Sequence, residues 1–211
     1  TGNDKVGIGT ATPNNTLQVY DLIDFNNTDS NTKVGYQSGK NIVSGAQSNT
    51  FIGYQTGLSS ATLSTNAADH NTAIGYKSLF SNRTGTLNTA IGSNTLYTNT
   101  SGSSNVANGY QALFYNTSGN SNVANGVNAL FSNTIGDQNI ADGVYALYAN
   151  TSGGNNTAVG FYSMLSNMTG NNNTAMGYQS LYLNTIGHSN IAIGYQTLYG
   201  NVSGLNSTAV G

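Results

Sequence analysis

The stretch 71–92, N-T-A-I-G-Y-K-S-L-F-S-N-R-T-G-T-L-N-T-A-I-G, decides the fold, because its last five residues repeat its first five after 17 positions. Copies of this unit follow one another without insertion to the end of the chain. A fixed short period indicates a solenoid, in which each unit stacks only on its neighbours and equivalent side chains form rows. We call each unit a coil and number its positions 1 to 17 from Asn71. The complete coils open on Asn71, Asn88, Asn105, Asn122, Asn139, Asn156, Asn173 and Asn190, and a partial coil opens on Ser207.

The composition argues against several classes of function. Charged residues make up 6% of the chain, against about 25% in an average globular domain. With a net charge of −2 and no basic stripe, neither nucleic acid nor an anionic membrane surface is an expected partner. Cysteine is absent, which removes disulfides and thiolate chemistry. No apolar run approaches the roughly 20 residues that span a bilayer, so we expect no membrane insertion in this segment, and no cofactor.

The spacing divides the chain into three zones. Residues 1–20 carry V-G-I-G-T followed by the only proline, which predicts a strand-turn module. Residues 21–70 hold irregular repeats with loop insertions, and residues 71–211 form the regular array. The chain opens without a methionine and stops inside a repeat, so we expect a piece of a longer protein.

Positions 1–5 predict a short strand closed by glycine. Alanine occupies position 3 of every coil, which implies close approach of another backbone, and the glycine at position 5 should adopt a positive φ or lie against a packed neighbour. Positions 12–17 predict the turn to the next coil. Asparagine at position 12 and glycine at position 15 tolerate left-handed conformations, and stacked asparagines could hydrogen-bond from coil to coil.

Positions 6–12 fit two structures. Tyr110, Leu113 and Phe114 have the i, i+3, i+4 spacing of a helical face, with Asn116 as a left-handed terminator. The same residues could form a short strand. We expect one short helical turn per coil within a mainly β parallel solenoid, of the β-roll or β-helix kind.

One chain is not expected to be sufficient. The reliable apolar positions are the fourth, sixth, ninth and tenth, and a coil of 17 residues has a thin interior. The leucine row at position 9 can fill that interior, whereas the aromatic row at position 10 would need a second surface. We therefore expect an elongated homotrimer, in which partner chains cover that row around a shared axis.

Position 4 changes character in the middle of the array. It is apolar in most coils but polar at Asn108, Asn125 and Asp142, where position 2 becomes Val or Ile instead. Positions 2 and 4 of a strand share a face, so polarity is exchanged within that face. One interpretation is a polar band along the oligomer axis that holds water or an ion. The alternative is a solvent-exposed face on which the exchange is neutral.

The N-T-A-I-G motif, with the S/A-L-x-x-N-x-T-G that follows it, resembles the repeats in the head domains of trimeric autotransporter adhesins. The longer unit and V-G-I-G-T-x-x-P are similar to bacterial and phage fibre proteins that end in an endosialidase-type chaperone, and to trimeric fibres of predatory bacteria. The resemblance spans residues 5–20 and 31–211. It implies left-handed parallel β-rolls packed as threefold rods, outside the cell or on a virion.

No catalytic constellation emerges from the sequence. His70 and His188 are isolated, and Asp21, Asp24 and Asp29 are interpreted as solvated loop carboxylates, since glutamate is absent and no cleft is predicted. The run 24–29 alternates oxygen donors as calcium loops do but lacks their glycine and distal glutamate. No metal site is therefore assigned.

Neutral aromatics and amides suit carbohydrate recognition. The candidates for ligand binding are Tyr36, Tyr54, Asp69 and His70, in and near the irregular repeats. The sequence thus predicts a non-catalytic segment of an extracellular trimeric fibre for adhesion or for recognition of a host or prey cell, with a cell-surface glycan or envelope component as partner. The alternatives are a phage tail fibre with receptor-binding function and, from another class, a fibre-borne glycan-processing enzyme.

Overall fold

A computed structural model describes three short N-terminal strands as backbone and describes residues 30–42, 45–58 and 68–211 with their side chains. All fourteen strands lie in one sheet in chain order. Strand β3 pairs antiparallel with both β2 and β4, whereas every pair from β4 to β14 is parallel. The strands are β1 (Val6–Ile8), β2 (Leu17–Val19), β3 (Ile23–Asn26), β4 (Asn31–Val34), β5 (Thr50–Ile52), β6 (Thr72–Ile74), β7 (Thr89–Ile91), β8 (Val106–Asn108), β9 (Val123–Asn125), β10 (Ile140–Asp142), β11 (Thr157–Val159), β12 (Thr174–Met176), β13 (Ile191–Ile193) and β14 (Thr208–Val210).

The parallel strands form a solenoid with one strand per coil. Within the regular array each residue pairs with its equivalent 17 positions later, as Ala73 does with Ala90. Before the array the step is longer, because Thr32 pairs with Thr50 and Thr50 with Thr72. The prediction of a mainly β parallel solenoid with a 17-residue period is therefore confirmed. The assignment of residues 1–20, 21–70 and 71–211 to separate domains stays a prediction.

The interior of each coil is narrower and more polar than the sequence suggested. Alanine at position 3 is fully buried up to Ala192, and leucine or methionine at position 9 is fully buried up to Leu181. They are joined by small residues at position 8 and by asparagines at positions 1 and 12. Positions 4 and 6 point outward, as at Ile74 and Tyr76, so these two apolar positions do not add to the interior. The strand alternates, and alanine faces inward because the opposite side of a 17-residue coil lies too close for a larger side chain.

Positions 6–12 contain no helix, so the expected helical turn was wrong. The segment is a run of tight turns in which positions 7 and 9 adopt positive φ, for example 55° at Gln111 and 52° at Leu113. The N–H groups at positions 7, 9 and 11 bond to neighbouring coils, whereas that of position 12 closes a turn within the segment, as Asn116 N does to Leu113 O (3.2 Å). Leu113 N donates to Ala129 O (3.0 Å) and Tyr115 N to Phe131 O (3.0 Å). Asn116 does not have a positive φ, so it is not the left-handed terminator.

Two columns of buried asparagines run along the stack. At position 1, Asn105 donates its backbone N–H and its Nδ2–H to Oδ1 of Asn88 (3.0 and 3.2 Å), and Nδ2 also donates to Gly119 O (2.9 Å). At position 12, Asn116 Nδ2 donates to Asn99 Oδ1 (2.8 Å). The expected coil-to-coil bonding of asparagines is thus confirmed, and position 1 carries a second such column. The expected left-handed conformation at positions 12 and 15 was wrong, since the positive φ falls on position 17 instead.

The glycine at position 5 is required for both reasons that the sequence suggested. Gly126 has a φ of +131°, and a Cβ added there would lie 2.7 Å from the carbonyl carbon of Gly143 in the next coil. Adjacent coils therefore approach each other backbone to backbone at this corner. Among the residues described, no helix is long and apolar enough to cross a membrane.

Candidate binding surfaces

The outer face of the parallel sheet is regular and nearly uncharged. Positions 2 and 4 of each strand flank the buried alanine and point outward, so their side chains form two parallel columns along the stack. Ile140 at position 2 is 42% exposed and Met176 at position 4 is 43% exposed. From β4 to β14 the only charged residue at these two positions is Asp142. We call this surface, formed by positions 2 and 4, the outer sheet face.

The three polar residues of position 4 lie together on the outer sheet face. The register pairs Asn108 with Asn125, and Asn125 with Asp142. Asn108 and Asp142 are exposed and Asn125 is half-buried. None of the three side chains hydrogen-bonds to another group in the part of the chain that the structure describes. They form a contiguous polar column with free hydrogen-bonding groups. Its position on an oligomer axis stays a prediction.

The tyrosines predicted to bind ligand belong to an aromatic column at position 6. Tyr36 stacks on Tyr54, and Tyr54 on Tyr76, with 5.4 Å between ring centroids in both pairs. Gln37 Nε2 donates to the hydroxyl of Tyr36 (3.2 Å). Stacking covers the ring faces and leaves the edges and hydroxyl groups toward solvent, so sugar stacking is possible only where the column is interrupted.

The other two predicted ligand residues occupy a different part of the coil. Asp69 and His70 lie at positions 16 and 17, across the strand from position 6. Asp69 Oδ1 accepts the backbone N–H of Gln47 (2.7 Å). This bond recurs further along position 16, where Asp137 Oδ1 accepts from Asn120 N (2.6 Å). Position 16 therefore caps the backbone of the preceding coil, a supporting role that the sequence analysis did not identify.

His188 takes part in the same position-16 row. Its Nδ1 accepts the backbone N–H of Asn171 (2.9 Å), which places the proton of a neutral ring on Nε2. Like Asp69, it bonds to the preceding coil. The repeated coil position, rather than residue type, was the signal for this role.

A second aromatic column follows position 10 and is half-buried. Phe80, Tyr97 and Phe114 stack with centroids 5.0 and 5.1 Å apart. The column is interrupted at Leu165, and there the ring of Tyr162, from position 7, makes an edge contact with Tyr182 (6.3 Å). The chain thus covers part of this row itself, although the sequence analysis assigned the row to a partner chain.

The predicted acidic and calcium-loop residues lie largely beyond the described part. Asp21 and Asp29 are outside it, Asp24 is described as backbone only, and residues 59–67 of the loop that interrupts the period also lie outside it. Among the described residues, no three His, Cys, Asp or Glu side chains come together as a metal-binding group. Comparison with protein-family models, curated proteins and solved structures finds no significant match.

Proposed function

We propose that this chain is a non-catalytic segment of an extracellular homotrimeric fibre that acts in adhesion or in recognition of a host or prey cell surface. The observation that carries the proposal is the outer sheet face. It extends over eleven consecutive parallel strands, has at least one apolar side chain on each of them, next to threonine on seven, and bears a single charge. Continuous exposed apolar surface of this kind marks an interaction site.

A second copy of the same chain is the occupant that this face fits best. Each coil contributes one residue to each of the two columns. Closed cyclic symmetry places equivalent residues of identical chains at the same height along the axis. A parallel second copy would therefore place its columns beside these along the whole stack. Three chains around one axis would bury the apolar residues of positions 2 and 4. They would also bring three copies of the polar column together, so that rings of Asn108, Asn125 and Asp142 stack on the axis. A buried ring of carboxylates would need a cation or protons.

Recognition of a neutral surface glycan or envelope component agrees with the rest of the surface. Outside the outer sheet face the coils present tyrosine hydroxyls, amides and threonine, which match sugar hydroxyl groups as hydrogen-bonding partners. A phage tail fibre with receptor-binding function would use the same surface. It would differ only in being attached to a virion instead of a cell. A glycan-processing enzyme would need two carboxylates near one another. Asp69 and Asp137 instead each accept a backbone N–H of the preceding coil.

Sedimentation equilibrium tests the trimer directly. We expect the chain to sediment as a trimer, and the variant Ile91→Arg, which adds a charge to the outer sheet face, to sediment as a monomer. Leu87→Arg is the matched control, since Leu87 is exposed but lies at position 17, away from that face. A monodisperse monomer for the unmodified chain, or equal dissociation by both substitutions, would refute the assembly.

Recognition requires its own experiment. Labelled trimer should bind intact target cells and an array of immobilised surface glycans, and cells stripped of surface glycans should bind less. Unchanged binding to stripped cells would show that the partner is another envelope component. Failure to bind any cell would contradict the adhesion role while leaving the trimer intact.

A further inference from the structure

The aromatic column at position 6 has a gap that is one coil deep. Tyr76 stacks on Tyr54 with an angle of 10° between the ring planes, so one face of Tyr76 is covered and the other is directed along the column toward the next coil. That coil carries Ser93 at position 6, and the following coil carries Tyr110. Tyr110 is 49% exposed and makes no ring contact with any other described aromatic residue. The coil between Tyr76 and Tyr110 therefore has no ring at position 6, and Lys77 Nζ lies over the Tyr76 ring.

The backbone fixes the depth of this gap. The carbonyls of all three position-6 residues accept a hydrogen bond from the coil that follows: Asn94 N donates to Tyr76 O (2.8 Å) and Gln111 N to Ser93 O (3.0 Å). With about 4.8 Å between coils, Tyr76 and Tyr110 are about 9.6 Å apart along the stack. A ring inserted midway would lie about 4.8 Å from each, inside the roughly 4.5–7 Å range of stacked rings. The gap thus matches one six-membered ring.

The chain closes an equivalent gap elsewhere but leaves this one open. In the position-10 column the missing ring at Leu165 is replaced by Tyr162, which belongs to the same coil at position 7 and contacts Tyr182. In the coil of Ser93, position 7 is Asn94, which has no ring to insert. Position 6 also lacks a ring at Val127 and Val144, but these two coils are consecutive, so the coil of Ser93 is the single-coil gap in this column.

The groups around the gap are polar, and they suit a ring with a polar periphery. Ser93 contributes a hydroxyl within the gap's own coil, and the tyrosines of the coils on either side each carry another. Position 7 carries an amide in both coils that follow Tyr76, as Asn94 and Gln111. An amide at this position can reach a position-6 hydroxyl, because Gln37 Nε2 donates to Tyr36 Oη (3.2 Å).

We propose that the gap binds a single pyranose ring of a surface glycan, with its C–H faces against Tyr76 and Tyr110 and its hydroxyl groups toward Ser93, Asn94 and Gln111. This rests on the proposed function and adds the site and the ligand class to it. A purely aromatic ligand could stack there but would make no use of the surrounding amides and hydroxyls. Lys77, whose Nζ is 5.3 Å from the centroid of the Tyr76 ring, flanks the site and adds a positive charge beside it.

The substitution Ser93→Tyr tests the proposal by completing the column. The new ring should stack between its neighbours and fill the gap, so the variant should remain folded with an unchanged or higher melting temperature. Ser93→Ala is the comparison variant, because it removes one hydrogen-bonding hydroxyl but adds no ring, so its signal should fall less than that of Ser93→Tyr. The probes are the methyl β-pyranosides of glucose, galactose and N-acetylglucosamine, followed by saturation-transfer-difference NMR.

We expect saturation of the ring C–H protons of at least one probe with the unmodified chain and with Ser93→Ala, and a decrease of at least about fivefold with Ser93→Tyr. Tyr110→Ala removes one of the two flanking rings and should also weaken the signal. If Ser93→Tyr fails to fold, Tyr110→Ala tests the proposal in its place. Equal signals with Ser93→Tyr and Ser93→Ala would overturn the site but leave glycan recognition standing. No signal from any probe would also overturn it. Sedimentation measures the trimer separately, so the absence of a trimer can be distinguished from either of these two NMR results.

Discussion

The asparagine column at position 1 gives the sharpest quantitative prediction, for Asn122→Ala. The side chain of Asn122 is fully buried. Its Nδ2 donates to Asn105 Oδ1 (3.1 Å) and Gly136 O (2.9 Å). Its Oδ1 accepts from the backbone N–H and the Nδ2–H of Asn139 (2.9 and 3.1 Å). Alanine removes all four bonds and leaves the backbone N–H of Asn139 buried without an acceptor.

The expected cost follows from these contacts. An orphaned buried donor costs about 1–3 kcal/mol and each further lost bond about 0.5–1.5 kcal/mol net. Some partners keep another bond, as Gly136 O does with Asn133, so we expect a loss of about 3–5 kcal/mol in the free energy of unfolding. With an m-value of about 2 kcal/mol/M, the urea midpoint should fall by about 2 M.

Urea unfolding followed by far-ultraviolet circular dichroism measures this loss. Ser152→Ala is the control, because that serine is exposed, lies away from the outer sheet face and makes no side-chain hydrogen bond to the described residues; its effect should stay within about 0.5 kcal/mol. Because coils stack only on neighbours, Asn122→Ala should also broaden the transition or split it in two as the halves uncouple. A midpoint within about 0.5 M of the control would refute the structural role of the column.

Three further changes have expected outcomes. Gly126→Ala should lower the free energy of unfolding by at least about 2 kcal/mol, because it adds a steric clash at a residue with positive φ. Gly200→Ala is the control and should have little effect, since its added Cβ meets nothing within 4 Å. Thermal unfolding of the two variants compares them. Leu113→Ala should cost about 2–5 kcal/mol in urea unfolding through the cavity it leaves, and a smaller loss would mean that the coil collapses around it. Asp142→Asn should strengthen the trimer at neutral pH by removing like-charge repulsion, and an unchanged dissociation constant in sedimentation would place Asp142 away from the axis.

The rows that the sequence repeats without exception were the ones it predicted well. Alanine at position 3, glycine at position 5 and leucine at position 9 each respond to a steric requirement that is the same in every coil. The spacing of Gly35, Gly53 and Gly75 also anticipated the longer steps between the first strands. A constraint imposed by stacking recurs with the period, so it is visible in a single chain.

The conformation of positions 6–12 was not predictable in the same way. Positive φ is uncommon for residues other than glycine, yet Lys77, Gln111 and Leu113 adopt it. The hydrogen bonds that hold this conformation run between coils, so no local propensity records them. The prediction that position 9 fills the interior did not depend on this conformation, because only leucine or methionine occurs there.

The contacts at the candidate sites were also hard to predict, because they too form between coils. The contact of Tyr162 with the interrupted column had a usable signal, since tyrosine appears at position 7 in the coil that has Leu165 instead of an aromatic residue. The position-16 row had a weaker signal, because it combines Asp69 and Asp137 with His188 and with uncharged residues in the other coils. Their common function as acceptors for the preceding coil is evident only from the hydrogen bonds.

The two asparagine columns give the stack a direction. In both, the later coil donates its Nδ2–H to Oδ1 of the earlier one, as Asn116 does to Asn99 and Asn105 does to Asn88. The side-chain amide dipoles of these pairs are therefore aligned, and aligned chains of hydrogen bonds polarise one another. The position-12 column keeps this direction as far as Asn184, and Asn201 turns its Oδ1 to the N–H of Gly204 instead. Further coils can therefore extend these columns only head to tail, and the stack has an electrical polarity similar in sense to that of an α-helix.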